Sequence, residues 1–152
     1  MSVDGSETIS VAILEGTLSV EEALAHCDAP GHGAAIAFVG RVRDINDGRS
    51  VRAVSYDVHE ALCRNEFAAM CAEAQERWGD DLRLYLVHRQ GRLEVGEASV
   101  IAAVSSRHRQ HAYDASRYLV EQMKLRAPIW KQEHYVDGDS EWIRGHALVP
   151  SV

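Results

Sequence analysis

Lysine is nearly absent from this chain of 152 residues. Lysine and arginine together number 16, yet only Lys124 and Lys131 are lysines, and both fall in the segment MKLRAPIWKQE. A guanidinium stays protonated at any working pH, whereas a buried or crowded amine can lose its proton and act as a base or nucleophile. The chain therefore does not use lysine as a general surface cation. The confinement of both lysines to one short segment favours a chemical role for them.

Cysteine is also scarce, with three residues at Cys27, Cys63 and Cys71 and no C-x-x-C spacing. Cys63 and Cys71 share a predicted helix, where they lie about 12 Å apart along the axis, too far for a disulfide. We therefore expect three small buried residues in a reducing compartment.

Long apolar runs are missing as well. No stretch approaches the roughly 20 apolar residues of a membrane-spanning helix. Residues 1–10 lack the basic and apolar regions of a secretory signal, so we expect a cytoplasmic protein. The formal net charge of −7 disfavours general nucleic-acid binding, which needs a basic face, but it permits a local basic pocket.

The length fits one domain that buries its core without disulfides or metal ions. We expect a flexible leader at 1–7, a single domain at 8–146 and a C-terminal tail at 147–152. Hydrophobic periodicity and turn residues predict the element order β-α-β-β-α-β-β-α-β-β. Because helices and hairpins intermix, the order favours an α+β domain with a mixed or antiparallel sheet over a doubly wound parallel sheet.

Three helices are predicted from capping and periodicity. Ser19 followed by Glu22 forms a capping box before a short helix. Apolar residues at steps of three and four predict an amphipathic helix over 59–78. A third helix begins near Arg107 and ends before Pro128, which lacks the N–H that would continue it.

The end of this third helix brings the two lysines together. Lys124 lies on the last turn and Lys131 on the strand that follows Pro128, so both ammonium groups can approach one pocket. A helix C-terminus stabilises a protonated Lys124, whereas burial or neighbouring arginines would favour the neutral amine. The sequence leaves both states open, and the alternative is that each lysine extends to solvent.

The start of the third helix, SSRHRQH, carries cations where the helix dipole disfavours them. Ser105 or Ser106 is expected as the N-cap. Arg107, His108 and Arg109 follow, and their charges oppose the dipole unless an anion binds among them. The segment predicts a phosphate or carboxylate site, with a solvated cationic turn as the alternative. Metal binding is not expected, because no cysteine or carboxylate stands at ligand spacing.

The segment GRVRDINDG ends a buried strand with two arginines. Arg41 and Arg43 are two residues apart and point to one face of the strand. Arg43 suits bidentate contact with a phosphate or carboxylate, or it limits aggregation at a strand edge. His88 ends another strand and is either catalytic or a satisfied core histidine. The tryptophans are expected in the core; they are Trp78, Trp130 and Trp142.

Three stretches in this order resemble the large, catalytic subunit of molybdopterin synthase: GAAIAFVGRVRDINDG, VHRQGRLEVGEASVIAAVSSRHRQHAYDA and MKLRAPIWKQE. The resemblance runs from about Ile9 to Trp142. It implies a homodimer of α/β-hammerhead subunits, each binding a small ubiquitin-like sulfur carrier. The carrier's C-terminal Gly-Gly tail, as a thiocarboxylate, would enter the pocket and give its sulfur to cyclic pyranopterin monophosphate. Two rounds would yield the dithiolene, and the resemblance implies no cofactor.

The resemblance also implies roles for single residues. Lys124 and Lys131 match the family's two active-site lysines, and Arg43 matches its strand-end arginine. We expect Lys124 to contact the carrier's terminal carbonyl and exchange protons, and Lys131 to anchor the substrate and stabilise charge. Whether a covalent lysine adduct forms is left open.

Further substrate-binding residues follow from the same resemblance. His108 and Arg109 match the helix-start pair that helps hold the substrate phosphate. A basic residue from the tail of the neighbouring subunit is also implied, and Arg144 or His146 fits it. The residues by themselves leave two alternatives, a non-catalytic module for an anionic nucleotide or peptide tail and a structural dimer. A binding module would tolerate arginine in place of both lysines.

Overall fold

The computed structural model of the protein describes residues 7–144. Its elements in chain order are β1 (Ile9–Leu14), α1 (Val20–His26), β2 (Ala34–Arg41), β3 (Ile45–Asn46), β4 (Arg49–Val58), α2 (Glu60–Trp78), β5 (Arg83–Arg89), β6 (Gly91–Glu94), β7 (Ala98–Ser106), α3 (Arg109–Arg126), β8 (Ile129–Tyr135), β9 (Gly138–Asp139) and β10 (Ile143–Arg144). All but the last residue of the predicted leader, the whole predicted tail, and His146 lie outside the described residues.

Four strands form the first sheet, in the order β1-β5-β7-β2. β1 runs parallel to β5, and the other neighbours are antiparallel. The two middle strands carry the apolar runs LYLV and VIAAV, as expected for strands that are covered on both faces. β2 forms one edge of the sheet, and no strand within residues 7–144 pairs with its outer side.

Helices α2 and α3 cover one face of this sheet, and α1 covers the other. Phe67, Met70 and Ala74 recur at steps of three and four along α2 and are fully buried. Burying a side chain as large as Phe67 contributes roughly 1.5–3 kcal/mol to folding. His59 caps the helix, because its Nδ1 accepts a hydrogen bond from the Leu62 N–H at 3.3 Å.

A second sheet has the order β10-β8-β4-β3, with β6 paired to β4 and β9 paired to β8. Its register places Tyr56 of β4 opposite Lys131 of β8. Because side chains alternate across a strand, Lys131 and Glu133 share one face of β8, while Trp130 and His134 share the other. This register decides which residues of β8 can reach a ligand on a given face.

The structure confirms the predicted α+β fold with three helices, and it confirms that the three cysteines are free and buried. Other local predictions are wrong. His108, rather than Ser105 or Ser106, is the N-cap of α3. The predicted order has seven strands, and the structure adds the short strands β3, β6 and β9. Trp130 and Trp142 are 37% and 48% exposed, because Trp130 is paired with the two-residue edge strand β10 and Trp142 stands just before that strand. Within residues 7–144, no helix has the length and apolar character needed to cross a bilayer.

Candidate active site

A cavity of about 210 Å³ opens where both sheets meet the C-terminal end of α3. Residues from β2, β4, β5, β7, α3 and β8 form its walls. Its charged lining side chains are Arg41, Arg43, Lys124 and Lys131. All four are cations in a chain whose formal net charge is −7. The cavity therefore concentrates positive charge locally and suits an anionic ligand.

Lys124 reaches the cavity from the last two turns of α3. The helix ends at Arg126, because Pro128 lacks the N–H that would extend it. Arg126 fixes this end with both Nη atoms on Glu73, at 2.7 and 3.0 Å, and Nε on Glu66 at 3.1 Å. Both glutamates belong to α2. An ion-pair network between two helices therefore positions the backbone that carries Lys124.

Lys131 reaches the same cavity from β8 and is paired. Its Nζ lies 3.0 Å from Oε2 of Glu133, and the two side chains are 21% and 5% exposed, respectively. Because a buried carboxylate is costly without a counter-ion, the two groups form an ion pair. Tyr56 lies across the sheet from Lys131, and burial raises the pKa of its hydroxyl. Tyr56 consequently stays protonated beside the pair.

Lys124 has the opposite surroundings. No carboxylate within residues 7–144 forms an ion pair with it. Burial lowers the pKa of the Lys124 amine, and the positive charges of Lys131 and Arg43 lower it further. The residue as a whole is nevertheless exposed, so the burial that lowers this pKa is partial. Burial and like charges thus favour the neutral amine of Lys124.

The end of β2 directs two arginines to the cavity. The pairing of β2 with β7 shifts register between Gly40 and Arg41, and such an irregularity re-aims a strand end. Gly40 is needed there, because a Cβ would lie 2.6 Å from Cγ1 of Val100. Arg41 and Arg43 form no ion pair with any residue from 7 to 144. Their donors are therefore available to a ligand.

His108 and Arg109 lie at the other end of α3. Lys124 is fifteen positions after Arg109, which is about 22 Å along the helix axis. Neither His108 nor Arg109 lines the cavity. Both are exposed, and the first turn of α3 contains no acidic residue. The structure thus separates this predicted pair from the lysines of the same chain.

Arg144 also lies outside the cavity lining. It belongs to β10 and pairs in register with Trp130, and its guanidinium lies 5.7 Å from the centroid of the Trp130 ring. Trp130 precedes Lys131 on the same strand, so the two side chains point to opposite faces of the sheet. Arg144 therefore faces away from the cavity of its own chain.

Three residues of the site were missed or undecided in the sequence. Glu133 stands two residues after Lys131, and this spacing on a strand already puts both side chains on one face. Tyr56 reaches the pair only through the strand register. His88, left open between core and catalysis, is 4% exposed and lines the cavity. Its ring meets Tyr56 edge to face, with centroids 4.9 Å apart.

A Ser-His-Asp chain lies elsewhere, on the second sheet. Nε2 of His134 is 2.7 Å from Oγ of Ser55, and its Nδ1 is 2.9 Å from Oδ1 of Asp139. The order matches that of a hydrolase triad. However, Ser55 pairs with Arg92 on one side and Gln132 on the other, so its strand has no free N–H groups for an oxyanion hole. These two hydrogen bonds among Ser55, His134 and Asp139 therefore hold β4, β8 and β9 together.

These features define a class: an α+β protein with a cationic cavity, lined by an amine of lowered pKa, that suits an anionic ligand. Comparisons with known proteins narrow the class. A family model described as "MoaE protein" matches residues 13–126. The chain is 44% identical to the molybdopterin synthase catalytic subunit of Synechococcus elongatus over 122 residues, which is 80% of this chain and 74% of that relative. The corresponding protein of Pseudomonas aeruginosa is 41% identical over 120 residues, 79% of each chain.

Solved structures agree with these relatives. The crystal structure of molybdopterin synthase from Staphylococcus aureus matches with a TM-score of 0.82 and 30% identity, over 87% of this chain and 95% of that one. A complex of subunits 1 and 2 of molybdopterin-converting factor from Helicobacter pylori matches with a TM-score of 0.70 and 26% identity, over 85% and 87% of the two chains. The present chain belongs to the MoaE family.

Proposed function

We propose that this chain is the catalytic subunit of a molybdopterin synthase and transfers sulfur to cyclic pyranopterin monophosphate. The sulfur donor is the C-terminal thiocarboxylate of a small ubiquitin-like carrier, and two rounds of transfer make the dithiolene. The observation that carries the proposal is the placement of the chain's two lysines, Lys124 and Lys131, in one cationic cavity of a MoaE-family protein. Thiocarboxylate and phosphate are both anions that such a cavity attracts.

The surroundings of the two lysines support a division of roles. Lys124, with its lowered pKa, contacts the carrier's terminal carbonyl and exchanges protons during transfer. Lys131, paired with Glu133, is a fixed cation that anchors the substrate and stabilises the carboxylate left on the carrier. Arg43 offers a fork of N–H donors to the substrate phosphate.

His108, Arg109 and Arg144 serve, in this proposal, the cavity of a second copy of the chain. Their positions outside their own cavity support this assignment. The edge strand β2 supports it as well. β2 begins beside the start of α3, because the Gly33 N–H just before it donates to the Arg107 carbonyl at 3.1 Å. The other end of β2 lies at the cavity. Two copies paired antiparallel along β2 would bring the start of each α3 towards the cavity of the other.

The proposed compartment is the cytoplasm. Cys27, Cys63 and Cys71 are free and buried, which suits a reducing environment. The proposed partner is the sulfur carrier, and the Helicobacter pylori structure supports it as a complex of two subunits of molybdopterin-converting factor.

The test is reconstitution. The protein is mixed with a thiocarboxylated carrier and cyclic pyranopterin monophosphate, and dithiolene product is followed by mass. The matched control is the same carrier ending in an ordinary carboxylate, which has no sulfur to give and should yield no product. Binding of both ligands without product would favour a non-catalytic module, and the absence of any ligand binding would favour a structural dimer.

A further inference from the structure

His88 is a buried imidazole on the wall of a cavity whose charged groups are all cations. It lies on β5, is 4% exposed, and lines the cavity together with Lys124 and Lys131. Tyr56 holds one side of the ring, edge to face, with centroids 4.9 Å apart at an interplanar angle of 80°. The imidazole is thus fixed in place by packing.

The hydrogen bond at Nδ1 settles which nitrogen carries the proton. Nδ1 lies 2.7 Å from the carbonyl oxygen of Arg89. A carbonyl oxygen can only accept, so Nδ1 must donate, and in the neutral ring Nε2 is then an acceptor. Burial and the positive charge of Lys124 lower the pKa of His88 to about 4, so the ring is neutral at working pH. Nε2 is the nitrogen left for a ligand.

An acceptor of this kind is unusual in the cavity. The ammonium and guanidinium groups of the lining can only donate hydrogen bonds. The hydroxyls of Tyr56 and Ser99 can accept, but each also carries a proton that can be donated instead. His88 therefore presents the cavity with a neutral nitrogen that accepts without donating. A ligand group with an N–H or O–H would find few other side-chain partners there.

We propose that Nε2 of His88 accepts a hydrogen bond from an N–H or O–H group of the ligand bound beside Lys124, and so orients that ligand for the reaction. The identity of the ligands rests on the proposed function. Two sources can supply the donor: the backbone amide of the carrier's C-terminal tail, and the ring N–H or O–H groups of the pyranopterin precursor. The chemistry at Nε2 is the same for both.

The direct test uses the imidazole ¹⁵N resonances of the intact protein at neutral pH. The free protein should show His88 as the Nδ1–H tautomer, with an unprotonated Nε2. The carboxylate form of the carrier and the precursor are then added in separate samples. The sample in which the Nε2 resonance moves towards that of a hydrogen-bonded nitrogen identifies the source. His134, whose Nε2 already lies 2.7 Å from Oγ of Ser55, serves as the internal control and should stay unchanged.

Two variants test the contribution of the acceptor. His88→Phe keeps a flat ring against Tyr56 but removes the acceptor, and should weaken binding of the ligand identified by NMR by roughly tenfold. His88→Gln places an amide oxygen near the position of Nε2 and should recover most of that loss. Thermal unfolding of both variants shows whether they are folded, and the NMR test on the unchanged protein needs neither variant.

The outcomes separate this inference from the proposed function. If neither carrier nor precursor binds the unchanged protein, the proposed function is wrong, and the inference about His88, which rests on it, is wrong as well. If both bind but Nε2 does not respond, or if the free ring is the Nε2–H tautomer, the inference alone is overturned. Equal binding by His88→Phe and the unchanged protein would also overturn it.

Discussion

The two ends of helix α3 carry basic side chains in opposite electrostatic settings. At the C-terminal end, Lys124 lies in a cavity, on a helix end that two ion pairs of Arg126 hold in place. The helix dipole favours cations at this end. At the N-terminal end, His108 and Arg109 are exposed, the dipole disfavours their charges, and no acidic residue of the first turn offsets them.

The difference supports the proposal that one chain builds only part of the site. The C-terminal end has walls, a titratable amine and a paired cation, so its chemistry is organised before any ligand arrives. The N-terminal end has only an unfavourable group of cations, which a bound anion would stabilise. Local rules of sequence are broken mainly where function requires it. The comparison predicts that catalysis depends on the first end and substrate affinity on the second.

The largest expected effect is on turnover when Lys124 becomes arginine. Lys124→Arg keeps the positive charge but removes an amine that can release its proton, so we expect at least about a hundredfold loss of dithiolene formation. Product mass under single-turnover conditions measures it. Arg117→Lys, on the exposed face of the same helix with its side chain 80% exposed, is the matched control and should leave the rate unchanged. Near-normal turnover by Lys124→Arg would remove the proton-transfer role and reduce this end of α3 to a binding surface.

Breaking the ion pair between Lys131 and Glu133 should give the next largest effect, which is a loss of stability. Lys131→Met leaves the Glu133 carboxylate buried without its partner, and we expect a loss of about 3 kcal/mol in the free energy of unfolding in urea. Lys131→Met combined with Glu133→Gln should recover most of the loss. At the other end of α3, Arg107 and Asp81 form an exposed pair at 3.4 Å, and Arg107→Gln, which leaves the contact of Asp81 with His32 in place, should cost less than about 1 kcal/mol. Equal losses at both ends would contradict the difference in burial between them.

A smaller effect is expected at the N-terminal end of α3. Arg109→Ala should weaken precursor binding about tenfold, and the loss should shrink at high salt because the lost interaction is largely electrostatic. Isothermal titration at two salt concentrations measures it, with Arg117→Ala as the control on the same helix. Unchanged affinity would place the phosphate elsewhere.

The same two positions test whether the sites are shared between copies. In a mixed dimer of Lys124→Arg and Arg109→Ala chains, a shared arrangement restores one complete site, whereas sites built within single chains restore none. Co-expression with two different tags isolates the mixed dimer. At a precursor concentration well below its Kd, where the Arg109→Ala parent is about tenfold impaired, turnover per mixed dimer should approach half that of the unchanged protein. Turnover no higher than the average of the two parent variants would show that Arg109 acts within its own chain or not at all.

A feature of this site can be predicted from the sequence when the residues that produce it are close together along the chain. Local signals suffice for the helix end: Pro128 places Lys124 on the last turns of α3 and Lys131 on the following strand, as the structure has them. Spacing alone also separates Arg109 from Lys124 by about 22 Å, once both are assigned to one helix. The separation of His108 and Arg109 from the cavity of their own chain could therefore have been predicted from helical spacing, and it supports the proposed sharing between copies.

Other features depend on contacts that no local pattern contains. Tyr56 meets Lys131 because of the register between β4 and β8, and register is set by the whole sheet. Trp130 is exposed because β10 is a short edge strand, and composition gives no sign of this. His88 on β5 is buried against Tyr56 on β4, so its neutral state follows from tertiary packing.

The smallest expected effect uses His88 as a reporter of charge at the cavity end of α3. Its pKa is about 4, against an ordinary 6.5, with burial as the larger cause and Lys124 as a lesser one. Lys124→Met should therefore raise the pKa of His88 by less than about one unit in a ¹⁵N titration, while Arg117→Met should leave it unchanged. The lowered pKa also makes the stability of the fold depend on pH. Because the imidazole of His88 binds a proton more tightly in the unfolded chain, its contribution to stability is complete above pH 6.5 and is lost as pH falls towards 4. Lys124→Met should make that loss smaller, and a pKa that stays or falls in this variant would mean that the Lys124 charge does not reach the imidazole.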